Sequence, residues 1–493
     1  MKIYPELDET KKLSKKYNLI PVYTEILADL ETPVSAFMKI DKKRHSFLLE
    51  SVEGGENVGR YSFLGSEPSL IFRAKGSHYE IIEQGKFLKE QGEMENPIEK
   101  LRSMFSIYTP YPHPDLPPFY GGAVGYLGYD TIQLIEDIKM ENEDELDIDD
   151  IYFIFTDSIV IFDHAMHKLK IVYNLYIDEE TDIDKEYKRA VQHIEYTLSQ
   201  LNTPLKPFSS PNPDFKTELK SNFDKNGFSQ AIEKAKEYIK AGDIFQVVLS
   251  RRFTANIKGI EKINFYRALR SVNPSPYMFY LHLDDLHVIG SSPETLVKQH
   301  WGKIVVKPIA GTRRRGKTPE DEIKMEKELL ADEKEIAEHV MLMDLGRNDV
   351  GRVSKFGSVK VTDNMVIEKY SHVMHIVSTV EGELKPDCDS FDVFAATFPA
   401  GTLSGAPKIR AMEIIEELEP VKRNIYGGAV GYFSFAGNMD VCIAIRTAVI
   451  KNDNIYIQAG GGIVYDSKPE LEWLETKNKA GALLKALELA KEL

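Results

Sequence analysis

The sequence predicts a mixed α/β fold, because strand patterns dominate the first part of the chain and helices alternate with strands in the rest. Residues 20 to about 175 consist mostly of short apolar runs, such as 46–52 and 151–162, each bounded by Gly, Asp or Asn. From Asp224 onward, the apolar periodicity alternates between that of a helix and that of a strand. A chain of 493 residues is long enough for two or three domains.

This change of pattern divides the chain into three predicted segments. Residues 1–201 are predicted to form an N-terminal domain, residues 202–223 a linker rich in Pro, Ser and Asn, and residues 224–493 a second domain. The predicted elements are helices over Asp184–Leu201, Phe228–Lys240, Asn264–Val272 and Lys408–Leu418, and strands over Gln246–Phe253, Tyr277–Leu283, His287–Gly290 and Asn454–Ala459.

Two further predicted helices each carry a pair of glutamates. Glu335 and Glu338 form one pair, Glu472 and Glu475 the other, and a spacing of three residues puts both carboxylates on one helix face. Two such helices facing each other across a cleft would offer up to four oxygen ligands, the type that Mg²⁺ prefers. For either pair alone, a solvated helix face is the alternative interpretation.

Both acidic helices have a recognisable start. Thr318 as N-cap, with Pro319 at the first helical position, is predicted to begin one long helix that runs through the first pair. Ser467 and Glu470 are predicted to form a capping box at the start of the C-terminal helix. Both glutamate pairs are therefore expected on helices.

Several motifs lie between the two pairs. Gly460–Gly462 is predicted to end a strand and to expose backbone N–H groups to an anion. Arg446 lies within a predicted apolar strand, 441–449, where a guanidinium needs a partner such as a substrate carboxylate. The string YGGAVGY occurs twice, at 120–126 and at 426–432, which indicates a duplicated sheet core.

Composition narrows the class of protein. The net charge of −15 disfavours a nucleic-acid binder, so an anionic ligand would need a local patch of Arg, backbone N–H groups or metal. The two cysteines, Cys388 and Cys442, lie in no metal or redox motif. The N-terminus lacks an apolar signal region and no stretch has the length of a membrane span, so a cytoplasmic protein without membrane contact is expected.

Eight strings in the second half together resemble the chorismate-binding enzymes, and among these the large subunits of anthranilate synthases. They occur in the family's order, over roughly residues 225–490: PIAGTRRRG, EIAEHVMLMDLGRND, YSHVMHIVSTVEGEL, FPAGTLSGAPKIRAMEIIEELE, YGGAVGYF, CIAIRTAVI, QAGGGIVYDS and ELEWLETKNKA. The resemblance implies a sandwich of large, mainly antiparallel sheets flanked by helices. It also implies Mg²⁺-dependent conversion of chorismate and ammonia to anthranilate and pyruvate, the first committed step of tryptophan biosynthesis.

The resemblance implies a role for each matching residue. Glu338 and Glu475 would bind Mg²⁺ directly, and Glu335 and Glu472 through water. The catalytic candidates are Glu294 as general acid, His375 as base or proton shuttle, and Thr402 as a positioning residue. The implied substrate-binding residues are Gly311, Thr312, Tyr426, Arg446, Gly460, Gly461 and Gly462.

The resemblance also implies two partners. Neither cysteine has the context of a glutaminase nucleophile, so ammonia is expected from a separate glutamine amidotransferase subunit, with which the family forms heterotetramers. Tryptophan is the expected feedback inhibitor. Its implied site includes Glu50, Ser51, Pro276, Tyr277 and Met278, with Leu49 as a further wall; without the resemblance, these strings would be read as an ordinary core.

The residues of this sequence are less suited to the other reactions of the family. Many aminodeoxychorismate synthases have a nucleophilic Lys where Ala310 stands, and isochorismate and salicylate synthases activate water with a Lys at the position of Gln246. Alanine cannot attack, and a neutral amide is a poor base. A catalytically dead, tryptophan-binding paralogue would show damage at the metal or Arg positions, and none is visible.

Overall fold

Two antiparallel β-sheets pack face to face in this protein, and helices cover the outer surface of each sheet. The structure, a computed structural model, describes residues 1–52, 59–83, 87–205, 218–370 and 373–493. Within these ranges each sheet has twelve strands. The expectation of a mixed α/β fold, built as a sandwich of large antiparallel sheets, is confirmed.

The first part of the chain supplies strands to both sheets. Its elements are α1 (Leu7–Leu13), β1 (Leu19–Leu27), α2 (Pro33–Ile40), β2 (His45–Glu50), β3 (Tyr61–Ser66), β4 (Leu70–Lys75), β5 (His78–Glu83), β6 (Phe87–Glu93), α3 (Pro97–Phe105), β7 (Gly122–Leu127), β8 (Ile151–Thr156), β9 (Ser158–Asp163), β10 (Lys168–Tyr176) and α4 (Ile183–Leu201). A 3₁₀ turn covers Tyr129–Leu134.

The second part continues both sheets. Its elements are β11 (Lys220–Ser221), α5 (Lys225–Ala241), β12 (Gln246–Asn256), α6 (Lys262–Val272), β13 (Tyr277–Leu283), β14 (Leu286–Ser292), β15 (Thr295–His300), β16 (Lys303–Val306), β17 (Ile309–Arg314), α7 (Pro319–Leu330), α8 (Glu333–Val353), β18 (Lys360–Lys369), β19 (Val373–Glu383), α9 (Ser390–Thr397), β20 (Gly405–Ala406), α10 (Lys408–Leu418), β21 (Ala429–Ser434), β22 (Met439–Ile443), β23 (Thr447–Lys451), β24 (Asn454–Ile463) and α11 (Pro469–Ala490). A 3₁₀ turn covers Gly401–Leu403.

The strand order reads as two mirrored halves in each sheet. Sheet A has the order β1-β10-β9-β3-β2-β13-β14-β23-β24-β12-β11, and sheet B the order β17-β19-β16-β15-β22-β21-β7-β8-β4-β5-β6. Strands from before and after residues 202–223 therefore share both sheets, and neither part forms a sheet of its own. Residues 206–217 of the predicted linker lie outside the described ranges, and the domain boundary stays a prediction.

The repeated string YGGAVGY lies at the centre of sheet B. Its two copies run into β7 and β21. These strands pair antiparallel, and Gly125 faces its own repeat equivalent, Gly431. Sheet A shows the same symmetry. Phe47 on β2 pairs with Gly65, Phe279 on β13 pairs with Gly290, and each ring fills the space above its glycine. The predicted duplicated sheet core is thus two copies related by a local pseudo-two-fold axis.

The cores follow from this layering. One cluster fills the space between the sheets and includes Phe47, Val124, Phe279 and Val430. A second lies between the outer face of sheet A and α2, α4, α6 and α11, and a third between sheet B and α3, α8 and α9. None of the helices in the described ranges combines the length and apolar character that a bilayer-spanning segment requires.

Three predicted elements differ from the structure. The run 151–162 is two strands in different sheets, because the chain crosses over at Asp157. The long acidic helix is two helices: Thr318 caps α7, and Asp332 caps α8 by accepting from two backbone N–H groups. The predicted capping box at α11 is absent, because the Ser467 hydroxyl accepts from the N–H of Val464 instead.

We expect Gly125→Ala to lower the free energy of unfolding by about 3 kcal/mol, because core overpacking has costs of this order. A Cβ atom at Gly125 would lie 1.9 Å from the backbone oxygen of Tyr152, which the sheet holds in place. Gly481→Ala in α11 is the matched control, since its Cβ would meet nothing within 4 Å. That control should gain about 0.5–1 kcal/mol. Urea unfolding measures both changes, and equal effects would contradict the close strand approach.

Candidate functional site

The candidate site lies where the chain crosses twice between the two sheets. One crossing joins β14 to β15 and carries Glu294; the other joins β22 to β23 and carries Arg446. The crossings are tied together by backbone hydrogen bonds, from the Ser291 N–H to the Arg446 carbonyl at 3.1 Å and from the Ile443 N–H to the Glu294 carbonyl at 3.0 Å. The sheet pairing therefore fixes a carboxyl group and a guanidinium side by side.

Arg446 is the central cation of this site. The predicted strand over 441–449 is wrong here: β22 ends at Ile443, β23 begins at Thr447, and Arg446 has a positive φ of 50°. Within the described part of the chain, no protein hydrogen bond or ion pair engages its guanidinium. Burial lowers the pKa of Arg446, while Glu294 and Tyr426 act in the opposite direction. A half-buried guanidinium of this kind suits an anionic ligand.

Glu294 is held by Thr402. The Thr402 hydroxyl, in the 3₁₀ turn 401–403, donates to Glu294 Oε2 at 3.1 Å. Burial raises the pKa of Glu294, and the Thr402 hydrogen bond, Lys479 and Arg446 oppose this rise. The structure thus brings these two predicted residues into contact, in a place where burial shifts the pKa of the carboxyl upward.

His375 lies on β19 beside two other predicted residues. Its Nδ1 atom is 3.0 Å from the Gly311 carbonyl and 3.0 Å from the Thr312 hydroxyl. Because a carbonyl can only accept, the proton is assigned to Nδ1, which leaves Nε2 as the basic nitrogen of a neutral ring. Burial lowers the pKa of His375, and Arg446 contributes to this lowering. A neutral imidazole near the Arg446 guanidinium can serve as a base.

The glycine run lies inside a strand rather than at its end. Gly460, Gly461 and Gly462 continue β24 and pair with Ser250, Leu249 and Val248 of β12, so the predicted strand end is wrong. Small residues are required here: a Cβ at Gly460 would lie 2.8 Å from the Tyr426 hydroxyl, and one at Gly462 would lie 2.3 Å from the amide nitrogen of Gln246. The run is a flat surface beneath Tyr426.

The C-terminal glutamate pair lies beside Gly461, whose missing side chain would point to the opposite face of β24 from those of Gly460 and Gly462. A Cβ at Gly461 would lie 3.0 Å from Glu472 Oε2 and 3.5 Å from Glu475 Oε1. Among the described residues, Glu472 Oε2 is buried without a hydrogen-bond partner; burial raises the pKa of Glu472, the Ser467 hydroxyl opposes this rise, and the charge of Glu475 adds to it. Lys479 bridges the pair to the strand, with its ammonium 2.7 Å from Glu475 and 3.0 Å from the Gly460 carbonyl.

The other pair reaches the site from α8. Glu338 accepts a hydrogen bond from Gln246 at 3.2 Å, and Glu335 accepts one from Arg313 at 3.1 Å and lies beside Gly311. Among the described residues, no three Asp, Glu, His or Cys side chains converge as a metal site requires. The division into direct ligands, Glu338 and Glu475, and water-mediated ones stays a prediction.

The pseudo-two-fold axis shows what is specific to the second half. Following the paired strands, the counterparts of Glu294, Arg446 and Gly460 are Ser69, Ser158 and Asn174. The Asn174 amide donates to the Tyr120 carbonyl and blocks the equivalent space. The segment that carries β17, α7, α8 and β18 also has no equivalent in the first half. The carboxyl of Glu294 and the guanidinium of Arg446 therefore have neutral serine counterparts in the first half.

The residues predicted for tryptophan binding lie at one end of the β2–β13 pair. Glu50 pairs with Met278, is buried, and contacts the Tyr266 hydroxyl and Arg270. The Ser51 hydroxyl is buried and has no hydrogen-bond partner within the described ranges, and Pro276 precedes the strand. Tyr277 points to the other face, where its hydroxyl donates to Asp440 at 2.8 Å. Its side chain therefore does not share a pocket with Glu50.

Sequence reasoning missed three residues that hold the site together. Lys479 could have been found, because it follows Glu475 by four residues on the same helix face. Glu419 and Arg423 have the same spacing, but both lie beyond Leu418, the last residue of α10, and they form a fully buried ion pair. No helical pattern indicates that pair, since it forms only after the chain turns back under Tyr426.

Comparisons with known proteins agree with this geometry. Residues 45–485 match the family model described as chorismate binding enzyme. The chain is 51% identical to anthranilate synthase component 1 of Aquifex aeolicus, over all of this chain and 99% of the relative. It is 49% identical to the protein of the same name from Acetivibrio thermocellus, over 99% of both chains.

Solved structures show the same architecture. Anthranilate synthase component I from Streptococcus pneumoniae superposes with a TM-score of 0.77 at 36% identity, covering 93% of this chain and 98% of the other. The menaquinone-specific isochorismate synthase of Escherichia coli reaches a TM-score of 0.71 at 20% identity, over 98% of both chains, and shares the fold.

Proposed function

The chain belongs to the chorismate-binding enzymes, among the anthranilate synthase component 1 proteins, and from this membership we propose that it converts chorismate and ammonia to anthranilate and pyruvate. This would be the first committed step of tryptophan biosynthesis, and its place would be the cytoplasm. The observation that carries the proposal is the half-buried Arg446 guanidinium, which has no protein partner among the described residues and faces an acid, a base and a glycine surface.

Chorismate is a dianion, and the site offers two places for its carboxylates. Arg446, the Tyr426 hydroxyl and the N–H groups of Gly460–Gly462 would hold one carboxylate, and the ammonium of Lys479 borders the same surface. Gly311 and Thr312 would line the opposite wall beside His375. The acidic chain can bind such a substrate because these donors are concentrated at one point.

The acid and the base have separate tasks. Ammonia adds at C2 of chorismate while the C4 hydroxyl leaves, and Glu294 would donate the proton that converts this hydroxyl to water. Its raised pKa and the Thr402 hydrogen bond support that role. His375 Nε2 would take the proton from C2 when pyruvate is eliminated and the ring becomes aromatic. The neutral ring supports this role, since a protonated imidazole could not accept a proton.

The carboxylates of α8 and α11 have the donor chemistry for Mg²⁺, although among the described residues they do not converge as a complete site. All are hard oxygen donors, and the buried Glu472 Oε2 has no hydrogen-bond partner in the part of the chain that the structure describes. Glu338 and Glu475 would hold the ion directly, with Glu335 and Glu472 orienting its waters. When bound, Mg²⁺ supplies the positive charge that neutralises the second chorismate carboxylate. Lys479 would then keep its bond to the Gly460 carbonyl and release Glu475 to the ion.

A fluorescence assay tests the proposed function. Purified protein with chorismate, Mg²⁺ and an ammonium salt should form anthranilate, and omission of any one of the three should abolish the signal. Conversion of chorismate to a different product, or no conversion, would overturn the proposal. A tryptophan-binding but inactive paralogue would be recognised by tryptophan binding without turnover.

We expect the chain alone to use ammonium but not glutamine, because neither cysteine is suited to attack an amide. Cys442 is buried in β22, where burial raises the pKa of its thiol, and burial also raises that of Cys388. A glutamine amidotransferase subunit, anthranilate synthase component II, would supply ammonia in the assembled enzyme. Glutamine-dependent anthranilate formation by the purified chain alone would contradict this prediction.

We expect Ser51→Phe to abolish inhibition by tryptophan and to leave turnover with ammonium unchanged. The buried Ser51 hydroxyl and the Glu50 carboxylate would meet the amino group of tryptophan, while Met278 and Pro276 would pack on its indole. A phenyl ring would fill this space. Initial rates against tryptophan concentration measure the effect, with Ser199→Phe on the exposed face of α4 as control. Inhibition that persists in Ser51→Phe would contradict the location of the site.

A further inference from the structure

We propose that the buried Glu419–Arg423 ion pair is a positioning pair, which holds the Thr402 turn against β12 and so places the Thr402 hydroxyl on Glu294. This inference rests on the proposed function for its kinetic readout. The two side chains are 3% and 1% exposed, and Arg423 donates from Nε and Nη2 to the two Glu419 oxygens at 2.9 and 2.6 Å. Neither residue is among those predicted to bind substrate, although Arg423 lines a small cavity together with Tyr426.

The Glu419–Arg423 pair connects the Thr402 turn to β12. Arg423 Nη1 donates to the carbonyl of Leu403, next to Thr402, at 2.7 Å, and Nη2 donates to the carbonyl of Val248 on β12 at 2.7 Å. Glu419 accepts from the N–H and the hydroxyl of Ser250 at 2.7 and 2.8 Å. Val248 and Ser250 are the ladder partners of Gly462 and Gly460. The Arg423 guanidinium therefore joins the Thr402 turn to β12, the strand that pairs with the glycine run of β24.

The pair also supports Tyr426. The Arg423 guanidinium lies 4.7 Å from the ring centre of Tyr129 and 5.6 Å from that of Tyr426, and the Tyr426 N–H donates to the Arg423 carbonyl at 3.1 Å. A shift of the guanidinium would move this ring and the Thr402 turn together. Lysine cannot replace it, because an ammonium has no planar fork to reach two carbonyls and a carboxylate at once.

Two arguments favour a functional role over a contribution to fold stability alone. Burying an ion pair has a desolvation penalty that well-packed apolar residues would avoid, so stability alone does not explain the pair. The first copy of the repeat, which folds into the equivalent strand, is preceded by His113 and Pro117 at the spacings at which Glu419 and Arg423 precede the second copy. The same sheet core therefore forms without the pair in the half that has serines at the positions of Glu294 and Arg446.

A double-mutant cycle tests the proposal kinetically. Arg423→Lys should lower kcat with chorismate and ammonium by about 10–100-fold, whereas in a Thr402→Val background it should lower kcat by less than about threefold. Arg102→Lys, in the ion pair between α3 and α9, is the control and should leave kcat unchanged in both backgrounds. If the reductions of kcat by Arg423→Lys and by Thr402→Val simply multiply in the double variant, the proposal is overturned. If Arg423→Lys does not fold, the charge-removing pair Glu419→Gln with Arg423→Met takes its place in the same cycle.

Amide hydrogen exchange tests the same proposal without turnover. The peptide over 398–407 contains the Leu403 and Ser404 N–H groups, which donate to Ala400 and Gly401. In Arg423→Lys this peptide should exchange at least about tenfold faster, while a peptide from α3 keeps its rate. Unchanged exchange over 398–407 would overturn the positioning role. A wild-type chain that forms no anthranilate would instead refute the proposed function, and the exchange result would still decide on the pair.

Discussion

Glu294→Gln is expected to lower kcat by about 10²–10⁴-fold and to leave the KM for chorismate nearly unchanged, the range found when a general acid is removed. Glutamine has almost the same shape and can still accept the Thr402 hydrogen bond, so the fold and the turn 401–403 should persist. What is lost is the proton that the leaving C4 hydroxyl requires. Steady-state rates of anthranilate formation measure the effect, and a variant with full kcat would exclude Glu294 as the acid.

The pH profile gives this prediction a second readout. A general acid works in its protonated form, so activity should fall as the pH rises through the pKa of Glu294. Because burial raises that pKa, the fall should occur above the range of an exposed glutamate, and Glu294→Gln should lack it. Thr402→Val removes the hydrogen bond that opposes the rise, so it should move the fall to higher pH. A shift to lower pH in Thr402→Val would contradict the proposed coupling.

Arg446→Ala is expected to lower kcat/KM for chorismate by about 10²–10³-fold, because truncating one partner of a buried charge pair costs about 2–5 kcal/mol. The guanidinium has no protein partner among the described residues, so its loss should cost binding rather than folding. Thermal unfolding should therefore show nearly the same midpoint as wild type. Kinetics with varied chorismate and saturating ammonium separate this effect from any loss of ammonia use.

Arg446→Lys is the matched variant for this prediction. It keeps the charge but loses the fork that can bind a carboxylate with two hydrogen bonds, so it should recover only part of the loss. His375 provides a further check: because Arg446 contributes to the lowered pKa of His375, Arg446→Ala should raise that pKa. Full activity in Arg446→Ala would show that the substrate carboxylate binds elsewhere.

Local patterns predicted most of the secondary structure. Helix 408–418 and strand 277–283 have the predicted boundaries, because each is a periodic apolar run between clear end signals. The predictions failed where the chain changes sheets. Residues 151–162 and 441–449 each look like one continuous apolar strand, but a crossing between two packed sheets leaves both flanks buried. Periodicity reports burial, and burial does not tell which sheet a strand joins.

The glycine run shows the reverse error, in which a local signal predicts the end of a strand that in fact continues. Three consecutive glycines suggest the end of a strand, since they weaken strand propensity. Here they continue β24, because the hydroxyl of Tyr426, the amide of Gln246 and the carboxylates of α11 occupy the space of their missing side chains. Those neighbours are far away in sequence, so the reason for the glycines becomes visible only in the folded chain.

The sequence by itself determined the family, the fold class and the residue types of the site, because each matching motif is a short contiguous string. It also revealed the duplication through seven repeated letters. Only the folded chain shows that the two copies pair about a pseudo-two-fold axis and that the first half has serines at the positions of Glu294 and Arg446. It likewise placed Arg446 without a protein partner among the described residues and buried Glu419 against Arg423. The physical reason is that burial and pairing of charges depend on contacts between segments far apart in the chain, and no local pattern encodes them.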